Sequence, residues 1–174
     1  MVVGTGMMAA AFSSFVDDRR VVIYASGVSN SLETDPGEFQ REKNLLTRIR
    51  REHPDSLLVY FGTCSVNDPD RRQTPYVVHK LQMESVLEDS TRPWMVLRVP
   101  LAIGPGHRGE TLAPFLYNRI TRGESFDVWA NATRYPIDVV DVFRIACCFV
   151  KDQKHWNRRI NVALRSFRIL DFVH

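Results

Sequence analysis

Tyr76 and Lys80 are four residues apart in a segment with helical periodicity. On a helix, this spacing places the two side chains one above the other on a single face. A lysine ammonium beside a phenol favours the phenolate and lowers the pKa of the phenol from its usual value of about 10. General acid–base catalysis is most efficient when the pKa of the catalytic group approaches the operating pH. The pair therefore predicts a group that exchanges a proton with a bound substrate.

A hydroxyl group stands just upstream of this pair. Leu57 to Phe61 is a short apolar run of strand-forming residues, and Thr63 follows it closely. Residues 67–75 contain one Asn, two Asp and two Pro, which is typical of a loop. We expect Thr63 to place its hydroxyl on the same reacting oxygen as Tyr76. The spacing alone is a weak signal, and the alternative interpretation is an ordinary surface pair on an amphipathic helix.

Two predicted helices frame these residues. The first is capped by Asp35, with Pro36 in the first helical position and Glu38 at capping-box spacing, and extends to about Glu52. It should bury Phe39, Leu45, Leu46 and Ile49. The second runs from Tyr76 to Leu87, and its periodicity makes four residues available for burial, namely Val77, Val78, Leu81 and Val86.

A glycine-rich turn follows a short apolar strand at the start of the chain. Gly4, Gly6 and Ala9 form the pattern Gly-x-Gly-x-x-Ala, and a helix that includes Met7 and Met8 follows. In a dinucleotide fingerprint the first glycine allows a tight turn and the second lets backbone approach a pyrophosphate. The N–H groups of the helix N-terminus then bind the phosphates. The alternative interpretation is a close-packed turn between strand and helix that holds no ligand.

A second strand runs from Val21 and ends in the small residues Ala25, Ser26 and Gly27. Small residues at the carboxyl end of a strand let a ligand approach the edge of the sheet. Two further strands are expected at Trp94–Val99 and Arg159–Ala163, with a short one at Ser125–Ala130. Strands that alternate with helices in this way predict an α/β fold with right-handed crossovers.

Taken in this order, the strand ending in a hydroxyl residue, the Pro-Tyr-x-x-x-Lys helix and the following strand resemble the extended short-chain dehydrogenase/reductases. This is the family of NAD-dependent sugar-nucleotide epimerases and dehydratases. The resemblance implies that Thr63 holds a substrate hydroxyl, that Tyr76 is the acid/base, and that Lys80 assists it and hydrogen-bonds the nicotinamide ribose. It also implies that the backbone at Val99 and Pro100 lines the nicotinamide.

Further segments extend the resemblance. Tyr24 to Gly27, Ser29 to Ser31, Pro36 and Asn44 fit the family's order of features, as do Arg98, Gly104 and Pro105. Leu101, however, replaces an Asn that commonly contacts substrate in the family.

The segment from Arg134 to Asp141 resembles one in which an Arg grips a substrate phosphate, a role suited to a guanidinium fork. The resemblance gives that role to Arg134, and the alternative is a surface ion pair with Asp138 or Asp127. Asp141 fits the N-cap of the helix that extends through Val150.

One block of the family pattern is missing. Only residues 7–20 separate the glycine turn from the strand that resembles the fourth strand of the family's Rossmann sheet. The intervening strands usually hold the adenine and its ribose, and the first of them, the second strand of the sheet, carries the residue that distinguishes NAD from NADP. We therefore expect NAD or NADP as the cofactor, with the adenine-binding part missing and with contacts mainly to pyrophosphate and nicotinamide.

Composition bounds the remaining possibilities. The chain of 174 residues is 44% apolar and 25% charged, with a net charge of +3, which argues against a nucleic-acid surface. Three cysteines, two of them adjacent, form no disulfide framework and favour a reducing compartment. No spacing of Cys and His predicts a metal site, and no apolar run has the length of a membrane span. We expect a cytoplasmic location without a membrane partner, and a homodimer is compatible with the sequence.

The fold prediction is a single α/β domain over residues 1–174, with a reduced Rossmann-like parallel sheet flanked by helices and a small C-terminal substrate lobe over residues 106–174. The functional prediction is an NAD(P)-dependent epimerase, dehydratase or reductase that acts on a nucleotide sugar, for example in surface polysaccharide synthesis. The alternative is a non-catalytic ligand-sensing or scaffold protein that has lost full cofactor binding.

Overall fold

The computed structural model describes residues 1–88, 91–105, 112–128 and 132–173, with strands and helices in alternation. The strands are β1 (Val2–Val3), β2 (Val21–Tyr24), β3 (Leu57–Thr63), β4 (Trp94–Val99), β5 (Leu101–Ile103), β6 (Thr133–Arg134), β7 (Pro136–Asp138), β8 (Arg158–Asn161) and β9 (Phe167–Arg168). The helices are α1 (Met7–Ala11), α2 (Pro36–Glu52), α3 (Pro75–Glu88), α4 (Leu112–Thr121), α5 (Val139–Lys151) and α6 (Leu170–Val173).

The central sheet has five parallel strands in the order β1-β2-β3-β4-β8. Side chains alternate between its two faces. One face packs against α1 and α5 around Phe12, Ile23 and Val142, and the other packs against α2 and α3 around Leu46 and Met83. This layered arrangement confirms the predicted reduced Rossmann-like fold, with the carboxyl ends of the strands along one edge.

Strand β1 pairs directly with β2, in the register Val2 to Ile23 and Val3 to Tyr24. Within the described residues β1 is the edge strand of this sheet. Beyond β4, two small sheets complete the described part of the chain: β5 with β7 in parallel, and β6 with β9 antiparallel. Residues 106–111, where the predicted substrate lobe begins, lie outside the described residues.

Helix α2 begins as predicted but its capping box does not form. The Asp35 carboxylate accepts a hydrogen bond of 2.8 Å from the Gly37 N–H. The N–H of Asp35 donates to Glu33, whereas the Glu38 carboxylate binds Arg41 at 2.8 Å. Glu33, two residues before the N-cap Asp35, thus accepts the hydrogen bond that the capping box assigned to Glu38.

Two predictions about the C-terminal half are wrong. Asp138, not Asp141, caps α5, since its carboxylate accepts from the Val140 N–H at 2.7 Å. The helix begins earlier because the preceding residues form β7 and turn directly into it. Residues 125–128 form no strand, and the end of the strand predicted at Ser125–Ala130 lies outside the described residues.

The three cysteines are free. Among the described residues, no helix combines the length and apolarity needed to pass through a lipid bilayer. In the same ranges, no three His, Cys, Asp or Glu side chains are grouped so that they could hold a metal ion.

Candidate active site

Thr63 ends β3 at the carboxyl edge of the sheet. Its hydroxyl accepts a hydrogen bond of 3.1 Å from the Ser65 N–H and so starts a short 3-10 turn over Cys64–Asn67. The residue is buried, with 6% of its surface exposed. This local bond, which threonine side chains form readily, fixes the hydroxyl beside the start of α3.

Helix α3 presents Tyr76 to that hydroxyl. The Thr74 hydroxyl accepts from the Val77 N–H at 3.4 Å, and Pro75 occupies the first helical position, where its missing N–H costs nothing. Tyr76 is therefore in the first turn and 8% exposed, and Thr63 lies near enough to lower the pKa of its phenol.

Lys80 lies one turn further along α3 and is 3% exposed. Its Nζ donates to the Tyr60 hydroxyl at 3.0 Å, to Glu42 Oε1 at 3.3 Å and to the Phe61 carbonyl at 3.4 Å. These acceptors match the three protons of an ammonium. The same nitrogen lies 6.0 Å from the ring centre of Tyr76. Lys80 is thus near Tyr76, but its hydrogen bonds go to other groups.

Glu42 on α2 is the partner that determines the position of Lys80. The carboxylate is fully buried and also accepts from the Val28 N–H at 2.6 Å and from the Tyr60 hydroxyl at 2.6 Å, and it bonds His79 Nε2 at 2.9 Å. Burial raises the pKa of Glu42, but the Lys80 charge and these hydrogen bonds outweigh it and hold the pKa at about 2. Glu42 is therefore ionised at neutral pH.

The pKa of Tyr76 moves opposite to our expectation. Burial raises it to about 12, the nearby Thr63 opposes the rise, and the charge of Glu42 adds to it. Burial also lowers the pKa of Lys80, against the attraction of Glu42. The prediction of a lowered Tyr76 pKa is wrong because burial of the phenol dominates, and the Lys80 ammonium does not offset it while paired with the Glu42 carboxylate.

The glycines beside this cluster have different reasons to lack a side chain. Gly4 has φ +130°, and a Cβ there would overlap with the Ala25 carbonyl. A Cβ at Gly6 would meet nothing within 4 Å, so the space beside it is open. At Gly27 a Cβ would lie 2.8 Å from both the Glu42 carboxylate and the Lys80 nitrogen. Gly27 therefore makes room for the buried ion pair.

The other predicted nucleotide-binding residues lie around the glycine turn or at the end of β4. Met8 packs against the core, Met7 lies close to Gly104, and the Ser26 carbonyl accepts a hydrogen bond of 3.2 Å from the Arg41 guanidinium. Val99 is buried at the end of β4, and the half-buried Pro100 links β4 to β5.

Arg134 is not brought into contact with Tyr76, Lys80 or Thr63. Its guanidinium donates to the Thr133 carbonyl at 2.9 Å. Within the described residues it forms no ion pair with Asp127 or Asp138. Arg98, by contrast, binds the buried carboxylate of Glu84 through Nε at 3.0 Å and Nη2 at 2.6 Å.

Sequence reasoning missed Glu42, Tyr60 and His79. Glu42 does carry a signal, because it stands in the apolar stripe of α2 between Phe39 and Leu46, where an unpaired charge would be costly. A charge in such a stripe indicates a buried partner. The identity of that partner depends on which residues the fold brings together from distant parts of the chain.

A sequence model of the NAD dependent epimerase/dehydratase family matches residues 20–163. The match begins after the glycine turn. No curated protein matches the chain significantly in sequence.

Solved structures with the same fold include a UDP-N-acetylglucosamine 4-epimerase from Methanobrevibacter ruminantium in complex with UDP-N-acetylmuramic acid. It is 18% identical with a TM-score of 0.73, over 98% of this chain and 64% of that one. RMD from Pseudomonas aeruginosa, complexed with NADPH, is 16% identical with a TM-score of 0.82, over 99% and 80%. WbmH from Bordetella bronchiseptica, in complex with NAD+, is 17% identical with a TM-score of 0.70, over 98% and 62%. The chain thus spans less than two thirds of the length of the first and third of these.

Proposed function

Because the chain belongs to the NAD-dependent epimerase/dehydratase family, we propose that it is a nicotinamide-dependent epimerase, dehydratase or reductase of nucleotide sugars. The observation that carries the proposal is the buried Tyr76 phenol, which lies near Thr63 at the carboxyl edge of a parallel sheet. Ligands of open α/β sheets bind outside this edge. A tyrosine and a second hydroxyl there are suited to hold one substrate oxygen between them.

The proposed mechanism assigns the proton transfer to Tyr76 Oη. Thr63 orients the substrate oxygen, and Tyr76 gives that oxygen a proton or takes one from it. With a pKa raised to about 12, Tyr76 is a phenol at neutral pH, which suits it to donate. Removal of a proton from a substrate hydroxyl would require the phenolate. A bound nicotinamide would accept or supply the hydride that accompanies the transfer.

The glycine turn fits a cofactor diphosphate. The open space beside Gly6 admits a bulky group, and the backbone at Gly4 is held tightly against Ala25. We propose that Gly4, Gly6, Met7 and Met8 hold the diphosphate of NAD or NADP. The nicotinamide end would then lie near residues 25–27, Lys80, Val99 and Pro100. Since β1 is the edge strand of the described sheet and only residues 7–20 link it to β2, contacts to the adenine are proposed to be missing.

Nucleotide sugars are the proposed substrates because one structural neighbour is a 4-epimerase in complex with UDP-N-acetylmuramic acid. Arg134 is proposed to bind a substrate phosphate, and the guanidinium of this half-buried residue is bound only to a local carbonyl among the described groups. A role in polysaccharide synthesis, a single domain over residues 1–174 and a homodimer belong to the same proposal. A cytoplasmic location is proposed from the free cysteines.

A second candidate is a non-catalytic ligand-sensing or scaffold protein. The observation in its favour is Lys80, whose three donors are all satisfied by Glu42, Tyr60 and Phe61, so that a ribose contact would require one of these bonds to break. Leu101 in place of a substrate-binding Asn favours the same candidate.

Cofactor titration separates the two candidates. NADH and NADPH should quench the tryptophan fluorescence of an enzyme, and the titration is repeated with UDP, dTDP and GDP sugars present. A scaffold that has lost cofactor binding would give no quenching.

Tyr76→Phe tests the mechanism. It should lower turnover by roughly 10²- to 10⁴-fold with the fold intact, because one general acid–base group is lost. Tyr117→Phe, at a tyrosine that is 69% exposed on α4, is the matched control. An unchanged rate in Tyr76→Phe would remove Tyr76 from the mechanism.

A further inference from the structure

A buried polar cluster lies behind the candidate catalytic tyrosine. Its groups come from four separate segments of the chain: the loop after β2, α2, β3 and α3. The members are Val28 N–H, Glu42, Tyr60, His79 and Lys80. Every buried side-chain nitrogen and oxygen in the described residues has a hydrogen-bond partner. The cluster is therefore a complete network in which each member limits the movement of the others.

Glu42 is the centre of this network. Oε2 accepts from Val28 N–H and bonds His79, whereas Oε1 accepts from Tyr60 and Lys80, at distances of 2.6 to 3.3 Å. The ring of His79 is stacked on Phe39 with 4.5 Å between ring centres, which fixes its position. A buried carboxylate with four partners costs much less than one with a single partner.

Lys80 directs its three hydrogen bonds to α2 and β3, and none of the three goes to Tyr76. The Lys80 nitrogen lies 4.8 Å from the ring centre of Tyr60 and 6.0 Å from that of Tyr76. Gly27 lies directly against the Glu42–Lys80 pair, since even one carbon added there would contact both charged groups. The ammonium therefore has no room to move toward the loop.

We propose that Glu42 is a positioning residue, which anchors Lys80 beside Tyr60 on β3 and cancels its charge, so that Tyr76 keeps its proton. Its consequence for catalysis rests on the proposed function, because it makes Tyr76 a proton donor in the resting protein. The positioning itself concerns only the folded chain and needs neither cofactor nor substrate.

The charge that acts on Tyr76 comes from every element packed around it. From α2, Glu42 acts directly and Arg41 acts on Lys80; from β3, Tyr60 is un-ionised because burial raises its pKa far above 10. The remaining titratable groups of the neighbourhood are Tyr24 on β2 and His79, Lys80 and Glu84 on α3. Of these, only Glu42 combines full burial with a direct effect on the Tyr76 phenol.

Ultraviolet titration of tyrosinate near 295 nm, from pH 7 to 11, tests the proposal. Each protein is compared with the same protein carrying Tyr76→Phe, so that the difference reports Tyr76 alone, and circular dichroism checks the fold at each pH. In the wild type, Tyr76 should stay largely un-ionised throughout. In Glu42→Gln its dissociation constant should rise by about tenfold or more, which brings the transition into the window.

Glu84→Gln is the matched control, because Glu84 is an equally buried carboxylate of α3 that pairs with Arg98 instead. It should leave the Tyr76 transition unchanged. If Glu42→Gln does not fold, Tyr60→Phe decides: it removes one acceptor of Lys80 and should shift the Tyr76 transition in the same direction by a smaller amount.

An unchanged Tyr76 transition in the folded Glu42 variant, or the same shift in Glu84→Gln, would overturn the proposal. If Glu42→Gln does not fold, an unchanged Tyr76 transition in Tyr60→Phe would also overturn the proposal. A shift without cofactor binding or turnover would support the positioning role and refute the enzyme. Turnover without a shift of the Tyr76 transition would support the enzyme and refute the positioning role.

Discussion

The stability of the fold should depend on pH through Glu42 in a way that one substitution removes. The carboxylate is fully buried, and its partners hold its pKa near 2 in the folded protein. In the unfolded chain the same group has its ordinary pKa of 4.5. The folded state therefore binds the proton less readily, and stability falls as acid is added.

The magnitude follows from the two pKa values. The difference between 4.5 and about 2 is about 2.5 units. At 1.36 kcal/mol for each unit this gives about 3 kcal/mol. The contribution is fully present above the unfolded pKa of 4.5. It is lost progressively as the pH falls toward about 2, the folded pKa.

Urea unfolding at a series of pH values measures this contribution. Trp94 on β4 is 5% exposed and should report unfolding by fluorescence. At pH 7 we expect Glu42→Gln to be less stable than the wild type by roughly 3–5 kcal/mol, since Lys80 is left buried without its counter-ion. The difference should narrow by about 3 kcal/mol between pH 5 and pH 2. Asp18, whose pKa is also about 2, titrates equally in both proteins and cancels.

A constant difference in the free energy of unfolding between the two proteins, from pH 7 to pH 2, would refute the reasoning. It would mean that Glu42 does not change its proton affinity on folding. If the single variant does not fold, the double variant Glu42→Gln/Lys80→Met gives the same comparison, because neither charge remains.

Two other substitutions can be compared in the same way. Gly4→Ala should lower the melting temperature and cost at least about 1–3 kcal/mol of stability, because the added carbon meets a backbone carbonyl at positive φ. Gly6→Ala should cost less than about 1 kcal/mol of stability, because the space beside it is open. It should, however, weaken NADH binding in a fluorescence titration. Equal losses of stability in the two would contradict the assignment of the open space. Arg98→Ala should destabilise by about 3 kcal/mol in urea, because the buried Glu84 loses its two-bond partner, while Arg159→Ala should cost less, since that side chain is 33% exposed. A larger loss of stability in Arg159→Ala than in Arg98→Ala would contradict the assignment of Arg98 as the main partner of Glu84.

The order of strands and helices could be predicted because it depends on local patterns. Apolar runs gave the strands of the central sheet, and the Asp-Pro pair located the start of α2 to the residue. The short link over residues 7–20 predicted that no strand stands between β1 and β2 along the chain, and it contains only α1 and a 3-10 turn. Local patterns failed where a tertiary contact determined the structure. Asp138 belongs to a strand that pairs with β5, and this pairing sets the start of α5.

The burial of α3 could not be predicted from apolarity. Val78 and Leu81, expected to be buried, are 37% and 38% exposed, whereas Lys80 and Glu84 are nearly inaccessible. These charges are buried because Glu42 and Arg98 neutralise them from other elements. A helix whose apolar and charged residues are evenly mixed gives no clear periodicity, and the partner of each charge lies 14 to 38 residues away in sequence.

Gly27, Glu42 and Lys80 should be inherited together. A change at either charged position alone leaves the other without a counter-ion, so that the first substitution on any evolutionary path is harmful and the second restores what was lost. A side chain at position 27 is excluded only because the Glu42–Lys80 pair lies against it. Where smaller uncharged residues replace both members of the pair, position 27 should tolerate a side chain, and we expect the effects of substitutions at the three sites to be non-additive.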